Sequence, residues 1–179
     1  LFSDNHDVER LPNKLRNRAH IRHIALLVYT LWGIPSIYYG SEFAIEGKKE
    51  WGSDWPLRPC LELDDFKDAL TTNPVTSVYA ALGRLKAACP ELTWGEVKEL
   101  QLTTQCYAFA RVLDGKAVVA VFNNGDSPAQ LEFPLPVEAT DAEDLLADCV
   151  GSQPILTEIE WGRIKVQLPS NYATLLRLK

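Results

Sequence analysis

The chain has 179 residues, 46% of them hydrophobic and 23% charged, with mean hydropathy −0.11, net charge −6 and pI about 5.1. That composition gives a sizeable core and one ordinary domain or two small ones. An acidic chain without a basic run is a poor nucleic-acid binder, and no segment reaches the roughly 18 consecutive apolar residues of a membrane helix.

Leu1-Phe2 reads as the end of a β-strand, and DNHDVER, residues 4–10, as the loop after it. Pro12-Asn13 is turn chemistry. In NRAHIRHIALLVYTLWG, residues 17–33, Ile21, Ile24, Ala25, Val28, Leu31 and Trp32 keep helical spacing, and Gly33 fits the C-terminal cap. IPSIYYG, residues 34–40, is a short apolar run bounded by Gly and Pro, which predicts a buried strand. Strand, loop, helix and strand together predict a βαβ unit with a parallel pair.

Residues 41–72 lack period, and a loop of that length is usually functional or disordered. Trp51 and Trp55 argue against disorder. Asn73-Pro74 opens a second helix with Val75, Val78, Tyr79, Leu82 and Leu85 as its stripe, ending near Cys89-Pro90. After Leu92 the pattern changes to short β-rich segments: 99–105, 106–113, 116–124, 129–135, 143–150, 163–169 and 172–178. Asp114-Gly115 signals a hairpin and Asn124-Gly125 a turn. Many short strands at roughly 8–12-residue spacing predict an antiparallel sandwich. The expected fold class is therefore α/β followed by all-β, divided into 1–92 and 93–179.

The four cysteines, Cys60, Cys89, Cys106 and Cys149, are widely separated and form no CxxC. They read as unpaired, mostly buried thiols, which favours a cytoplasmic setting. With three His in the chain, no Cys/His cluster has zinc spacing, so no metal site is predicted. The chain contains no Met and begins at Leu1, so it is expected to be a piece of a longer product. A secretion signal lost from that product would leave no trace here.

Asn5, His6 and Asp7 stand side by side after the first strand. Active sites of β/α folds lie at the C-terminal ends of strands. A carboxylate beside an imidazole can grip adjacent sugar hydroxyls and stabilise an oxocarbenium-like charge. The plain alternative is a polar loop in which Asp7 caps a turn or pairs with Arg10. Trp51 and Trp55 either stack on sugar faces or form the core of their loop. Tyr38, Tyr39 and Glu42 read as structural, and His20 and His23 as helix histidines away from the strand ends.

FSDNHDVER, residues 2–10, followed by GIPSIYYGSE, residues 33–42, resembles the α-amylase family of glycoside hydrolases. There, F-x-x-N-H-D-x-x-R ends strand seven of a (β/α)8 barrel, and G-I-P-x-I-Y-Y-G-x-E forms strand eight and its exit. YAFARVLDGKAVVAVFNN, residues 107–124, is similar to the family's small C-terminal β-domain. The resemblance implies the last β/α units of a TIM barrel followed by a small antiparallel sandwich. It makes Asp7 the transition-state-stabilising aspartate, binding the 2- and 3-hydroxyls of the sugar at the cleavage point. It places His6 on the same ring, Asn5 in support, and Arg10 in the site or as an ion-pair partner within the barrel. Asp54 and Arg58, four apart in DWPLR, match a family D-x-x-x-R pair that binds sugars; the alternative is an ordinary surface ion pair. GKKEWGSDWPLRP, residues 47–59, is similar to the cyclomaltodextrinase and neopullulanase branch.

A retaining glycosidase needs a nucleophile and a general acid. The family supplies them from strands four and five, and no segment here resembles either. The resemblance thus implies the C-terminal portion of a retaining α-glucan hydrolase acting on α-1,4-linked glucans, maltooligosaccharides or cyclodextrins, inactive alone. The alternative is a non-catalytic carbohydrate-binding or interaction module. No cofactor is evident; calcium dependence of a full-length enzyme stays open. Two barrel strands expose apolar edges, so an upstream barrel segment, a second copy of the chain or a rearranged packing is expected to cover residues 1–90. The sandwich from about 93 to 179 could fold alone.

Overall fold

The computed structural model describes residues 1–179. The N-terminal half is helical and looped. A single turn, α1 (Leu11–Lys14), leads to α2 (His20–Thr30). A short α3 (Ala69–Thr72) precedes α4 (Pro74–Ala88) and α5 (Pro90–Trp94). The Asn73 side chain accepts from the Val75 amide, and Pro74 fills the first helical position, where its missing N–H costs nothing. Helix α2 stops at Thr30, short of the predicted Gly33, and Leu31 is already extended.

The predicted strands at 1–2 and 34–40 do not form regular strands. Leu1 and Ile34 still meet: the Leu1 amino group donates to the Ile34 carbonyl (2.9 Å) and the Ser36 amide to the Leu1 carbonyl (2.8 Å). That is one link of a parallel ladder. It goes no further: Ser3 and Asp4 turn away, where Asp4 accepts from Ser41 and Leu11.

The C-terminal half begins with β1 (Glu96–Leu102), β2 (Cys106–Leu113), β3 (Lys116–Asn123) and β4 (Ala129–Pro134). β5 (Ala142–Asp144), helix α6 (Leu145–Val150), β6 (Leu156–Glu160), β7 (Arg163–Leu168) and β8 (Tyr172–Leu178) follow. The strands make a five-stranded sheet ordered β1-β2-β3-β8-β5 and a three-stranded sheet ordered β4-β7-β6. All pairs are antiparallel. Asp114 and Gly115 both have positive φ, the backbone of a type I′ hairpin, as predicted. Residues 143–150, read as a strand, turn after Asp144 into α6, because the Asp144 carboxylate caps the Ala147 amide and starts a helix. β6 was not predicted; it joins β7 through a second positive-φ turn at Trp161-Gly162.

The five-stranded sheet is the middle layer of three. One face packs Ala108, Ala110, Val119 and Val121 against Leu131, Phe133, Ile164 and Val166 of the smaller sheet. The other packs Phe109, Val118, Ala120, Phe122 and Leu175 against Ile21, Ala25 and Leu26 of α2 and Leu82 and Leu85 of α4. Burial on both faces explains why β3 reads as an unbroken apolar run rather than an alternation. It also shows what covers α2 within the chain. The apolar stripe of α2 is covered by the chain's own sheet and by α4. The sheet in turn carries on its helix-facing side a large apolar surface that residues 93–179 alone would expose.

A buried arginine ties the layers. Arg111, on β2, donates to the Gly95 carbonyl through Nε and Nη2 (3.1 and 2.8 Å) and to the Thr30 carbonyl through Nη1 (2.7 Å). It thereby caps the C-terminus of α2, where a cation also complements the helix dipole. Desolvation pushes its guanidinium below the ordinary value.

Candidate functional site

Loop 4–10 is shaped from beneath by buried groups. Asp4 accepts from the hydroxyls of Ser3 and Ser41 (both 2.8 Å) and from the Leu11 amide (3.2 Å), and faces Arg10 Nε at 3.6 Å. Arg10 has no exposed surface. Its guanidinium donates to the Tyr39 carbonyl and lies 4.5 Å over the Tyr38 ring. The Arg10 amide bonds the Gly47 carbonyl (2.9 Å). A Cβ at Gly47 would stand 2.5 Å from the Pro56 carbonyl and 2.7 Å from the Arg10 stem, so this approach needs glycine. Arg10 therefore cannot reach a sugar. It holds the loops together as an ion-pair partner, which corrects its placement among the substrate-binding residues. Burial pushes the Tyr38 phenol above its ordinary value, helped by its hydrogen bond with Tyr39.

On this base Asn5, His6 and Asp7 face outward. The Asn5 carboxamide accepts from the Asp7 amide (2.9 Å), a local turn that fixes the aspartate's direction. His6 Nε2 lies 3.2 Å from Asp7 Oδ2. The long loop reaches over to meet them. Arg58 donates from Nε to the His6 carbonyl (3.1 Å) and from Nη2 to Asp7 Oδ1 (3.2 Å). The same Nη2 is 3.6 Å from Asp54 Oδ2. Lys49 Nζ sits between Asp54 Oδ1 (3.1 Å) and the Asp7 carbonyl (3.3 Å). A one-turn 3-10 helix, Trp55–Leu57, sets Asp54 and Arg58 on the same side, with Leu57 fully buried as its anchor.

Asn5, His6, Asp7, Asp54 and Arg58, chosen from two distant stretches of sequence, thus form one cluster at the surface, with Asn5 and Asp54 half-buried in it. Trp51 and Trp55 do not form a loop core: both are exposed, Trp51 at a tight turn closed by the Glu50–Ser53 bridge. Two members were missed. Lys49 carries no signal among the charges of an aperiodic loop, and Asp4 looks in sequence like one more loop polar group. Away from the cluster, His20 bonds the Asn171 carboxamide (2.7 Å) and His23 Nε2 the Asn123 carbonyl (3.0 Å), while His23 Nδ1 is buried without a partner. Cys89 and Cys106 are buried, but Cys60 and Cys149 are exposed, against the expectation of mostly buried thiols; all four are free. No group of three or more His, Cys, Asp or Glu side chains is placed to hold a metal ion. No helix is long and apolar enough to cross a membrane.

The cluster lies at the loop side of a helical layer that is followed by two antiparallel sheets, and this arrangement has close counterparts. Over 99% of its length the chain superposes on a three-domain cyclomaltodextrin glucanotransferase at TM-score 0.80 and 21% identity, covering 36% of that chain. It superposes on an Anoxybacillus α-amylase at TM-score 0.74 and 24% identity, covering 37% of that chain. The fold is that of the C-terminal portion of α-amylase-family enzymes, the end of a barrel plus a β-domain. In sequence, a cyclomaltodextrin glucanotransferase of Bacillus sp. (strain 1011) is 30% identical over 131 residues, 73% of this chain and 17% of that protein. A cyclomaltodextrinase of Bacillus sp. is 30% identical over 124 residues, 68% of this chain and 21% of that protein. The chain is homologous to these α-amylase-family enzymes and spans about a fifth of their length. It matches no family model.

Proposed function

We propose that this chain is the part of an α-glucan-processing enzyme that grips the sugar at the point of cleavage. The observation that carries the reading is the outward-facing Asn5-His6-Asp7 turn with Asp54 and Arg58 brought against it. The substrate class is α-1,4-linked glucans, maltooligosaccharides or cyclodextrins, with either water or another sugar as acceptor. Asp7 takes adjacent hydroxyls of one ring and opposes its charge to the positive charge of an oxocarbenium-like transition state. His6 holds the same ring. Trp51 and Trp55 offer flat apolar faces to neighbouring sugars. The nucleophile and general acid come from outside this chain, so the chain alone binds but does not cleave.

The same reading gives Leu1, Phe2, Trp32 and Ile34 a role. They are exposed around the single parallel link, and a further strand-bearing segment or a second copy covers them. A monomer by light scattering with no tendency to associate counts against the second-copy form.

The test is binding and turnover of maltoheptaose and β-cyclodextrin by the purified chain. Binding without product is expected. Asp7→Asn removes charged hydrogen bonds worth about 1.5–3 kcal/mol, hence a tenfold or greater loss of affinity. Release of maltose and glucose by the chain overturns its incompleteness, and unchanged binding by the variant overturns the role of Asp7. A reconstituted full-length protein that binds glucans without turning them over favours the non-catalytic module.

A further inference from the structure

We infer that the cavity between the starts of α2 and α4 binds a small organic carboxylate with an apolar body, with Arg22 as its counter-ion. The site lies apart from the Asn5-His6-Asp7 cluster and does not depend on the glucan reading.

The cavity measures about 600 Å³, within the roughly 300–1,000 Å³ of small-ligand sites. Ile21, Phe43, Val75 and Val78 give it apolar walls, and Arg22 and Tyr172 meet in it as a polar patch. No Asp or Glu lines it.

Arg22 is a half-buried cation without a counter-ion. Its Nε donates to the Ala173 carbonyl (2.5 Å) and its Nη2 to the Tyr172 hydroxyl (3.0 Å). The guanidinium carbon stands 4.4 Å from the centre of the Tyr172 ring. These contacts fix its plane and leave Nη1 without a partner. Asp144 attracts Arg22 but spends its own oxygens on the Thr174 hydroxyl and the Ala147 and Ile155 amides. Burial pushes the Arg22 guanidinium below its ordinary value, as for any cation short of compensating charge. Arg111 is different, since backbone carbonyls take all three of its nitrogens.

The other polar groups at the cavity are committed. Arg18 pairs with Glu46. Asn73 holds the Phe43 carbonyl and the Val75 amide, and Asn171 holds His20 and Asp126. The free donors are therefore Arg22 Nη1 and the Tyr172 hydroxyl proton, whose oxygen already accepts from Arg22. Two adjacent donors, one of them cationic, match the two oxygens of one carboxylate. Water would satisfy these donors but not the apolar walls. A ligand with an anionic head and a hydrocarbon body gains from both.

The experiment is calorimetry on the full chain with 4-phenylbutyrate, its neutral analogue 4-phenylbutan-1-ol, and acetate. Phenylbutyrate is expected to bind saturably with one site. The alcohol lacks the charged hydrogen bonds and acetate the apolar body, so each binds at least about tenfold more weakly. Tyr172→Phe keeps the ring beneath Arg22 and removes one donor, which weakens phenylbutyrate about two- to tenfold. Arg22→Met abolishes the preference for the carboxylate over the alcohol. Thermal melts verify folding; if Arg22→Met does not fold, Val75→Trp fills the cavity from its half-buried wall and weakens phenylbutyrate at least about tenfold. Equal binding of alcohol and carboxylate by the wild-type chain overturns the role of Arg22 as counter-ion. Phenylbutyrate binding that none of these variants changes lies elsewhere and overturns the site. No saturable binding of phenylbutyrate overturns it as well.

Discussion

Replacing Phe109 by Ala tests whether helices and sheets are one cooperative unit. Phe109 has no exposed surface and sits on the helix-facing side of the middle sheet. Its ring stacks on Phe122 with centroids 6.0 Å apart and tilts against Tyr107 at 5.4 Å. The sheet is held by hydrogen-bonded neighbours on both sides of β2, so it cannot collapse into the space left behind. A buried Phe→Ala change in such a setting costs about 3–5 kcal/mol, against a total of about 5–15 kcal/mol for an ordinary chain. Urea unfolding followed by far-UV circular dichroism and by amide hydrogen exchange of the strand residues measures it. Both signals are expected to shift together to a lower midpoint. The reasoning is refuted if the loss is below about 1 kcal/mol, or if the helical signal keeps its wild-type midpoint while the sheet unfolds earlier. The second result would mean that the sandwich stands alone after all.

Two more outcomes follow from single residues. Trp161 is exposed at φ 53 in the two-residue turn between β6 and β7, a backbone that Asn adopts far more readily than a bulky side chain; Trp161→Asn is expected to stabilise the chain by up to about 1 kcal/mol in the same urea assay, and a loss of stability would count against it. Burial pushes the His23 imidazole below its ordinary value of 6.5. The unfolded chain therefore takes up a proton that the folded chain refuses, so stability is full above pH 6.5 and falls as pH drops below it, by at most about 1.4 kcal/mol per pH unit. In His23→Gln that part of the slope disappears, and an unchanged slope between pH 6.5 and 5 would remove His23 as its source.

Much of the candidate site was legible because its residues are contiguous or four apart. Asn5, His6 and Asp7 lie in one turn, and DWPLR places Asp54 and Arg58 on one side of a short 3-10 helix. That these two stretches meet, some fifty residues apart, is a tertiary fact, carried by hydrogen bonds from Arg58 to both His6 and Asp7. Lys49 and Asp4 were not legible. Neither sits in a periodic pattern, and their roles exist only through partners that folding brings to them.

The sequence by itself determined the local elements whose signals are local. The Asn73-Pro74 start of α4, the Asp114-Gly115 hairpin, and β2 and β8 over their full lengths follow from capping, turn chemistry and β-rich runs. The tertiary structure decided what each apolar face meets. Whether the stripe of α2 lies against a sheet, another helix or a partner is not written in its periodicity, since burial is non-directional and any apolar surface satisfies it. It decided that Trp51 and Trp55 project outward rather than fold inward. It also decided that Arg10 is enclosed beneath the loop it shapes, because only the folded chain stacks Tyr38, Gly47 and Asp4 around one guanidinium.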